Sequence, residues 1–377
     1  MREVPEAAQL GDQTLQVELL PAGHGDSVLL EYGSPAAPAR ILVDAGPATA
    51  YAAVRARLAR IPPERRRLDL LVVTHVDADH VEGVVKLLND ADLAVEVGEL
   101  WFNGYRHLPN DELGPVQGEM VGALATHRSI AWNTAFGERA VKREPGRPLP
   151  RVELPGGLSI TVLAPSDREL ERLRREWERA CERAGLSPGS VADALVLLGQ
   201  TRRLNPLDTY LDTRVDAATD LEGLAATTSD LDRSAPNASS IVLLVEYAGR
   251  RVLLAGDSTP DALVPALERL VAERNLSRLR LDAFKLPHHA SRNNVTRELL
   301  RLVDADRSLV STDGKHFGHP DDEAIARVIV DGPRGGTLVF NYRTDATLRW
   351  AEAGLVDRYG HRTDYPEPRS AGVAVSL

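Results

Sequence analysis

Leu70-Leu-Val-Val-Thr-His-Val-Asp-Ala-Asp-His80 joins four apolar residues to a packet of two imidazoles and two carboxylates. A short apolar run bounded by polar residues fits a buried strand. A strand that ends this way delivers His75, Asp77, Asp79 and His80 to one point at a sheet edge. Imidazole and carboxylate together suit a divalent cation such as zinc or manganese. The same string also arises by chance on solvated loops, so the rest of the chain has to decide between the two readings.

The 377 residues are enough for one large domain or two ordinary ones, and a hydrophobic share of 43% is that of a protein with a substantial core. No stretch approaches the roughly 20 apolar residues of a membrane helix. Met1-Arg-Glu-Val-Pro-Glu-Ala-Ala lacks the apolar centre of a signal peptide, which predicts a cytoplasmic protein without a membrane partner. Cys181 is the only cysteine, so internal disulfides and cysteine-rich zinc sites are excluded. A net charge of −10 gives no global attraction to nucleic acid. A polyanionic substrate would need a local basic strip, or a metal centre that brings its own positive charge.

Working outward, Leu15–Leu20, Ser27–Tyr32 and Arg40–Asp44 read as strands between Gly and Pro punctuation. A helix is expected over Tyr51–Arg60 and another over Val81–Leu88, directly beneath the His–Asp packet. Alternation continues to Ser159–Leu163. Within Glu169–Arg183, Leu170, Leu173, Trp177 and Cys181 fall on one helical face, which makes Cys181 a packing residue. Strands resume at Ser240–Glu246 and Arg251–Ala255, joined by an Ala-Gly turn, and the last two are expected at Thr337–Tyr342 and Ala346–Ala351. Each half thus reads as strands followed by helices.

Between 185 and 235 the pattern breaks. About fifty residues without a clear element exceed an ordinary connection, so the stretch reads as an insertion, with one short helix expected near Val191–Leu198. Its acids Asp193, Asp208, Asp212, Asp216, Asp220, Glu222, Asp230 and Asp232 outnumber the arginines Arg202, Arg203, Arg214 and Arg233. A negative segment entering just before Asn237 would compete with phosphate for a cationic centre. It could act as an inhibitory lid released by a regulatory protein or by a protease at Arg202-Arg203, shape the substrate site, or make a homodimer contact.

Four further segments carry chemistry at strand ends: Gly23-His-Gly-Asp-Ser27, Leu254-Ala-Gly-Asp257, His288-His-Ala-Ser291 and Lys315-His-Phe-Gly-His-Pro320. With Ile41-Leu-Val-Asp-Ala-Gly46, Thr74–His80 and Pro236-Asn-Ala-Ser-Ser-Ile-Val-Leu243, their order resembles the metallo-β-lactamase superfamily. Within it the chain looks most like the metallohydrolase part of ComEC-type DNA-uptake proteins and their soluble stand-alone relatives. The resemblance runs over nearly the whole chain. It implies a single α/β domain over 1–377, a four-layer αββα sandwich with a dinuclear metal site between the sheets and an insertion at 185–235.

The resemblance assigns His75, Asp77, Asp79 and His80 as the first ligand group. Asp257 becomes the carboxylate bridging two divalent ions, zinc or manganese, and His288 the late histidine ligand. Two positions depart from the wider superfamily. Asp77 stands where many members have histidine, which hardens the site toward manganese, and Asn237 lies where another histidine ligand is common. The implied chemistry is hydrolysis by a metal-activated hydroxide. Asp79 would both ligate metal and hold the nucleophile's proton, and His289 or His319 would protonate the leaving group. Asn237, Ser239, Ser240, Ser291 and the cation Lys285 are the expected substrate contacts.

Around them, Asp44 is expected as a buried structural carboxylate and Asp26 as an acid that orients a metal-bound histidine. His24 is a turn residue or a substrate contact. His107, His127 and His361 are expected on the surface, and Arg65-Arg66-Arg67 reads as solvated charge. The substrate that the resemblance implies is a phosphodiester, of DNA first and of RNA as well. Small esters, lactones or thioesters are the alternative, and a metal-binding regulatory protein with little activity is the second.

Overall fold

Strand-by-strand alternation builds this molecule. The structure, a computed structural model, describes residues 13–108, 116–184, 190, 194 and 219–377. One seven-stranded sheet runs in the order Val373–Ser376, Thr14–Leu19, Val28–Gly33, Ala39–Val43, Leu70–Val73, Glu99–Phe102 and Ala131–Trp132. An eight-stranded sheet runs Arg362–Asp364, Thr337–Phe340, Arg307–Val310, Ala283–Lys285, Arg250–Leu254, Val242–Tyr247, Leu158–Ala164 and Arg151–Leu154. Each sheet is antiparallel through its hairpins and parallel through its crossover helices, which is the duplication legible in the sequence.

Three apolar clusters fix the layering. Leu70 and Val72 join Val17, Leu30, Ile41, Ile160, Leu243 and Val252 between the two sheets. Their neighbours Leu71 and Val73 point the other way, against Val54 and Leu58 of helix Tyr51–Ala59 and Val81 and Val84 of helix Ala78–Asn89. Leu244, Leu253, Phe284 and Phe340 do the same on the second sheet, against helices Pro260–Glu273, Arg297–Leu302 and Asp322–Asp331. A strand buried on both faces has to be apolar throughout, and Leu70–Val73 is. The result is the expected four-layer αββα sandwich. Among the described residues no helix is long and apolar enough to cross a membrane.

Several local expectations shift. The helix expected from Val81 starts at Ala78, because Asp77 takes extended angles at the N-cap; Asp79 and His80 therefore lie in its first turn. Ala346–Ala351 is not a strand. Helix Asp345–Leu348 and a 3₁₀ turn over Arg349–Ala351 occupy it, started by a Thr344/Thr347 capping box that sequence periodicity does not reveal. His127 is exposed as expected, but His107 and His361 are buried: His107 packs edge-on to Trp132, and His361 Nε2 lies 2.9 Å from the Trp350 carbonyl. Arg65 and Arg67 are exposed, as expected of solvated charge, whereas Arg66 between them is tied to the carbonyls of Leu93 and Ile61. Leu170, Leu173, Trp177 and Cys181 are all buried in helix Asp167–Ala184.

Most of the 185–235 stretch, including the short helix expected near Val191–Leu198 and the Arg202-Arg203 site, lies outside the described residues. Its C-terminal part is anchored. Arg327, itself buried, donates to the carbonyls of Ala225 and Thr227 and to Ser229 Oγ, holding helix Leu221–Ala226 against helix Asp322–Asp331.

Helix Ala78–Asn89 is seated by a glycine. The Gly83 amide donates to the Gly46 carbonyl at 2.8 Å, and a Cβ at this position would stand 2.0 Å from the Ala45 carbonyl oxygen. Replacing a helical glycine by alanine ordinarily adds about 0.8–1 kcal/mol of stability. Gly83→Ala is expected to do the reverse and cost about 1–3 kcal/mol, as overpacking does. Urea unfolding measures it; a raised midpoint would mean that the helix slides freely on the sheet.

Candidate metal centre

The end of strand Leu70–Val73 supplies one wall. Asp44, at the end of strand Ala39–Val43, is fully buried with φ 57°, and its carboxylate organises that wall. Oδ1 accepts from the Thr74 amide at 2.8 Å, while Oδ2 accepts from Thr74 Oγ1 at 2.6 Å and from His80 Nδ1 at 2.9 Å. Because Thr74 Oγ1 gives its hydrogen to Asp44, it can only accept from His75 Nδ1, 3.0 Å away. Both imidazoles therefore carry their proton on Nδ1 and turn a bare Nε2 to the interior.

The second sheet supplies the other wall. Asp257 follows strand Arg250–Leu254 through Gly256, whose φ of 52° and close approach to Thr74 bring the two sheets together. His288, His289 and Ala290 are three consecutive left-handed residues, φ 47°, 52° and 65°. Non-glycine residues adopt that region at a cost, and such strain concentrates at functional sites. His289 Nδ1 donates to the Ser311 carbonyl at 2.8 Å, and His288 Nδ1 to Asn294 Oδ1 at 3.0 Å. Here too the Nε2 atoms face inward.

Ligand atoms of Asp79, His80, Asp257 and His289 lie within 4.8 Å of one another. His80 Nε2 is 3.2 Å and His289 Nε2 3.5 Å from Asp257 Oδ2, and His289 Nε2 is 3.4 Å from Asp79 Oδ2. The Nε2 atoms of His75, His80 and His289 and Oδ1 of Asp257 are buried without a hydrogen-bond partner. Buried polar atoms are rarely left so, and a cation is the group this donor set fits. The charge balance agrees. Burial alone would lower the pKa values of His80 and His289, but Asp257, with Asp79 beside His80 and Asp26 beside His289, raises both well above the ordinary value. Burial likewise works against the Asp257 carboxylate, yet His80, His289 and His288 hold its pKa far below the usual range. The carboxylates demand positive charge at this point.

The remaining expected residues take varied places. His75 Nε2 lies 3.6 Å from Asp77 Oδ2 beside the cluster, and His288 Nε2 is 3.8 Å from Asp257 Oδ2 with a quarter of its side chain exposed. The geometry thus puts His289, not His288, in the tight group, reversing the order expected from the sequence. Left-handed angles at both residues set which ring turns inward. His319 stands outside it, its ring 5.3 Å from that of His288 and Nδ1 3.4 Å from Asp321 Oδ1.

Lys285 corrects the expectation of a substrate cation. It is 1% exposed, and its ammonium pairs with Asp26 at 2.5 Å and donates to the Leu286 carbonyl. Burial pushes the Asp26 pKa up, but Lys285 and His289 outweigh it and hold the group at about 2. Asp26 in turn lies 3.3 Å from His289 Nδ1, as an orienting acid should. Of the serines, Ser239 Oγ gives its hydrogen to the Pro236 carbonyl, whereas Ser240 Oγ accepts from the Asp257 amide and Ser291 Oγ from the Asn293 amide. Asn237 Nδ2 donates to Asp232 Oδ2 at 2.8 Å and lies 3.5 Å from His288 Nδ1.

Sequence reasoning missed Asp232 and Asn294. Asp232 was one of eight acids in the insertion; it accepts from both Asn237 and Asn294 and lies 3.4 Å from His288 Nδ1. Burial opposes its ionisation, but His288 and the two asparagines hold its pKa at about 2. Asn294 also donates to the Asp257 and Ser258 carbonyls. Neither residue has a motif signal, because the contact that joins the two spans 62 residues of sequence.

Asp44→Asn tests the orienting network. The amide keeps the shape but cannot accept the bonds from the Thr74 amide, Thr74 Oγ1 and His80 at once. Affinity for zinc or manganese is expected to fall roughly 10- to 100-fold with the circular dichroism unchanged. A competition titration against a chelating dye reads the effect; unchanged affinity would show that Asp44 has no part in holding the ligands.

Comparison with known proteins agrees with this architecture. The family model described as "Metallo-beta-lactamase superfamily" matches residues 20–315. No curated protein matches. Among the 22 matching chains of solved structures is the crystal structure of the metallo-beta-lactamase fold protein YhfI from Bacillus subtilis. It is 10% identical, with a TM-score of 0.43 and coverage of 97% of this chain and 100% of that one. With residues 20–315 matched and the His–Asp cluster set between two sheets, the chain belongs to the metallo-β-lactamase superfamily of metal-dependent hydrolases.

Proposed function

We propose that this protein is a metal-dependent phosphodiesterase acting on nucleic acid, DNA first and RNA also. The observation that carries the reading is the convergence of the unpartnered Nε2 atoms of His75, His80 and His289 with the carboxylates of Asp79 and Asp257. Its motif order, from Gly23-His-Gly-Asp26 to His288-His-Ala-Ser291, resembles the ComEC-type subfamily, and that likeness supports nucleic acid over a small ester. Asp79, His80, Asp257 and His289 would hold one divalent ion. His75, Asp77 and His288 would hold a second more loosely, with Asp257 shared between them. A divalent ion there supplies charge to substrate oxygens and lowers the pKa of water beside it.

The chain's own residues divide the remaining work. Asp26 and the Ser311 carbonyl fix the His289 ring, and Asp44 fixes those of His75 and His80 through Thr74. Asp79, in the first turn of helix Ala78–Asn89, keeps its charge. Burial resists that ionisation, but His80 and His289 hold its pKa well below the usual carboxylate range. It can therefore accept a hydrogen bond from the attacking nucleophile. His319 is an imidazole outside the ligand cluster, with its ring 5.3 Å from that of His288. Burial lowers its pKa against the pull of Asp321, and a bound anion beside it would raise the pKa again and favour the proton-donating form.

Protein loaded with zinc or manganese is expected to cut plasmid, single-stranded DNA or RNA, and a chelator should abolish the cutting. Turnover confined to an ester, lactone or thioester panel would overturn the nucleic-acid reading. The ligand roles separate in two variants. His289→Ala should lose metal and activity together, whereas His288→Ala should keep one ion per chain by elemental analysis. Equal metal loss in both would remove the distinction between a tight and a loose site.

A further inference from the structure

Among the described residues, Phe317 is the one aromatic of the exposed large hydrophobic side chains, with 55% of its surface open. A single exposed phenylalanine is unremarkable in itself. This one belongs to an assembly. His24 and His316 stack with ring centroids 4.4 Å apart, and Phe317 stands nearly perpendicular to both, at 5.7 Å and 4.3 Å. Phe317 also contacts His319 at 6.3 Å, and His319 contacts His288 at 5.3 Å. A chain of rings therefore leads from the open surface to the metal centre.

The two loops that carry the rings are fastened to each other and to the centre. The Asp313 amide donates to the Gly23 carbonyl and Ser311 Oγ to the Gly25 carbonyl, while the Gly23 amide donates to Tyr342 Oη. Gly25 runs so close to the metal-binding turn that a Cβ on it would stand 1.8 Å from the Asp79 carbonyl oxygen. The loop that carries Phe317 is thus anchored beside the turn of Asp79, and Lys315 is exposed two residues before Phe317.

We propose that Phe317, backed by His24 and His316, is a stacking platform for an unpaired base next to the scissile phosphate. The inference rests on the phosphodiesterase reading and narrows it to single-stranded nucleic acid. A net charge of −10 gives this chain little long-range pull on a polyanion, so binding has to come from local contacts. Stacking is such a contact: every base has a flat π-face, and an exposed aromatic ring takes any of them. A paired base keeps its faces against its neighbours and is not available. Lys315 supplies a charge for an adjoining phosphate.

The test uses short DNA strands of one sequence in which an abasic site is moved through the positions flanking the cut. With metal-loaded wild type, kcat/KM is expected to fall roughly 5- to 100-fold when the missing base is the one at the platform. Phe317→Ala should erase that dependence on position, and Phe317→Trp should restore it. The tryptophan variant gives a second readout, because Trp101, Trp132, Trp177 and Trp350 are all buried. Fluorescence of the new exposed ring should be quenched by single-stranded oligonucleotide and not by duplex. Wild type that cleaves DNA but ignores the abasic site, or Phe317→Ala that loses activity equally at every position, overturns the platform and leaves the phosphodiesterase standing. Absence of cleavage of any phosphodiester overturns both.

Discussion

One buried carboxylate ties the site to the fold. Asp44 sits at the end of one strand, binds the backbone and hydroxyl of Thr74 at the end of the next, and holds His80 at the start of the helix that follows. Three elements meet there with Asp44 fully buried, so each bond is strong and each lost partner is expensive. The neighbouring backbone repeats the arrangement: the Ala45 amide donates to the His80 carbonyl and the Gly46 amide to that of Asp26. The left-handed angle of Asp44 is the cost of aiming one side chain at three donors.

From that constraint the electrostatics of the interior follow. Asp26 and Asp257 are almost wholly removed from solvent and Asp79 is half-buried, yet all three are held below the usual carboxylate range, a state that needs compensating charge. Lys285 answers Asp26 directly. Asp79 and Asp257 are answered only by the imidazoles that face them, and those imidazoles are fixed by their Nδ1 partners. Proton and divalent ion therefore compete for the same lone pairs. The fixed outer hydrogen bonds mean that neither has to reshape the walls.

Much of this was legible in the sequence because it depends on local order. Leu70–Val73 was a buried strand by its uniform apolarity, and the helix from Asp167 declared its buried face through Leu170, Leu173 and Trp177. The His–Asp packet after the strand marked a candidate ligand group, and the order of the other motifs along the chain decided for it. Other facts arise from angles and distant contacts. The exchange of places between His288 and His289 depends on their left-handed backbone. Lys285 looked like a free cation until its strand placed it against Asp26, and Asp232 looked like one solvated acid among eight. The last expected strand failed because a threonine pair capped a helix where the residue pattern alternated.

The ligand-bearing residues come from both halves of the chain: Asp79 and His80 from the first sheet's side, Asp257 and His289 from the second's. Neither half holds the set alone, and the contacts that join them span a long separation in sequence, the kind that forms late in folding. Competence is therefore a property of the finished sandwich. A nascent or half-folded chain carries the ligand residues but not the centre, so metal is not gathered until the architecture that positions it is complete.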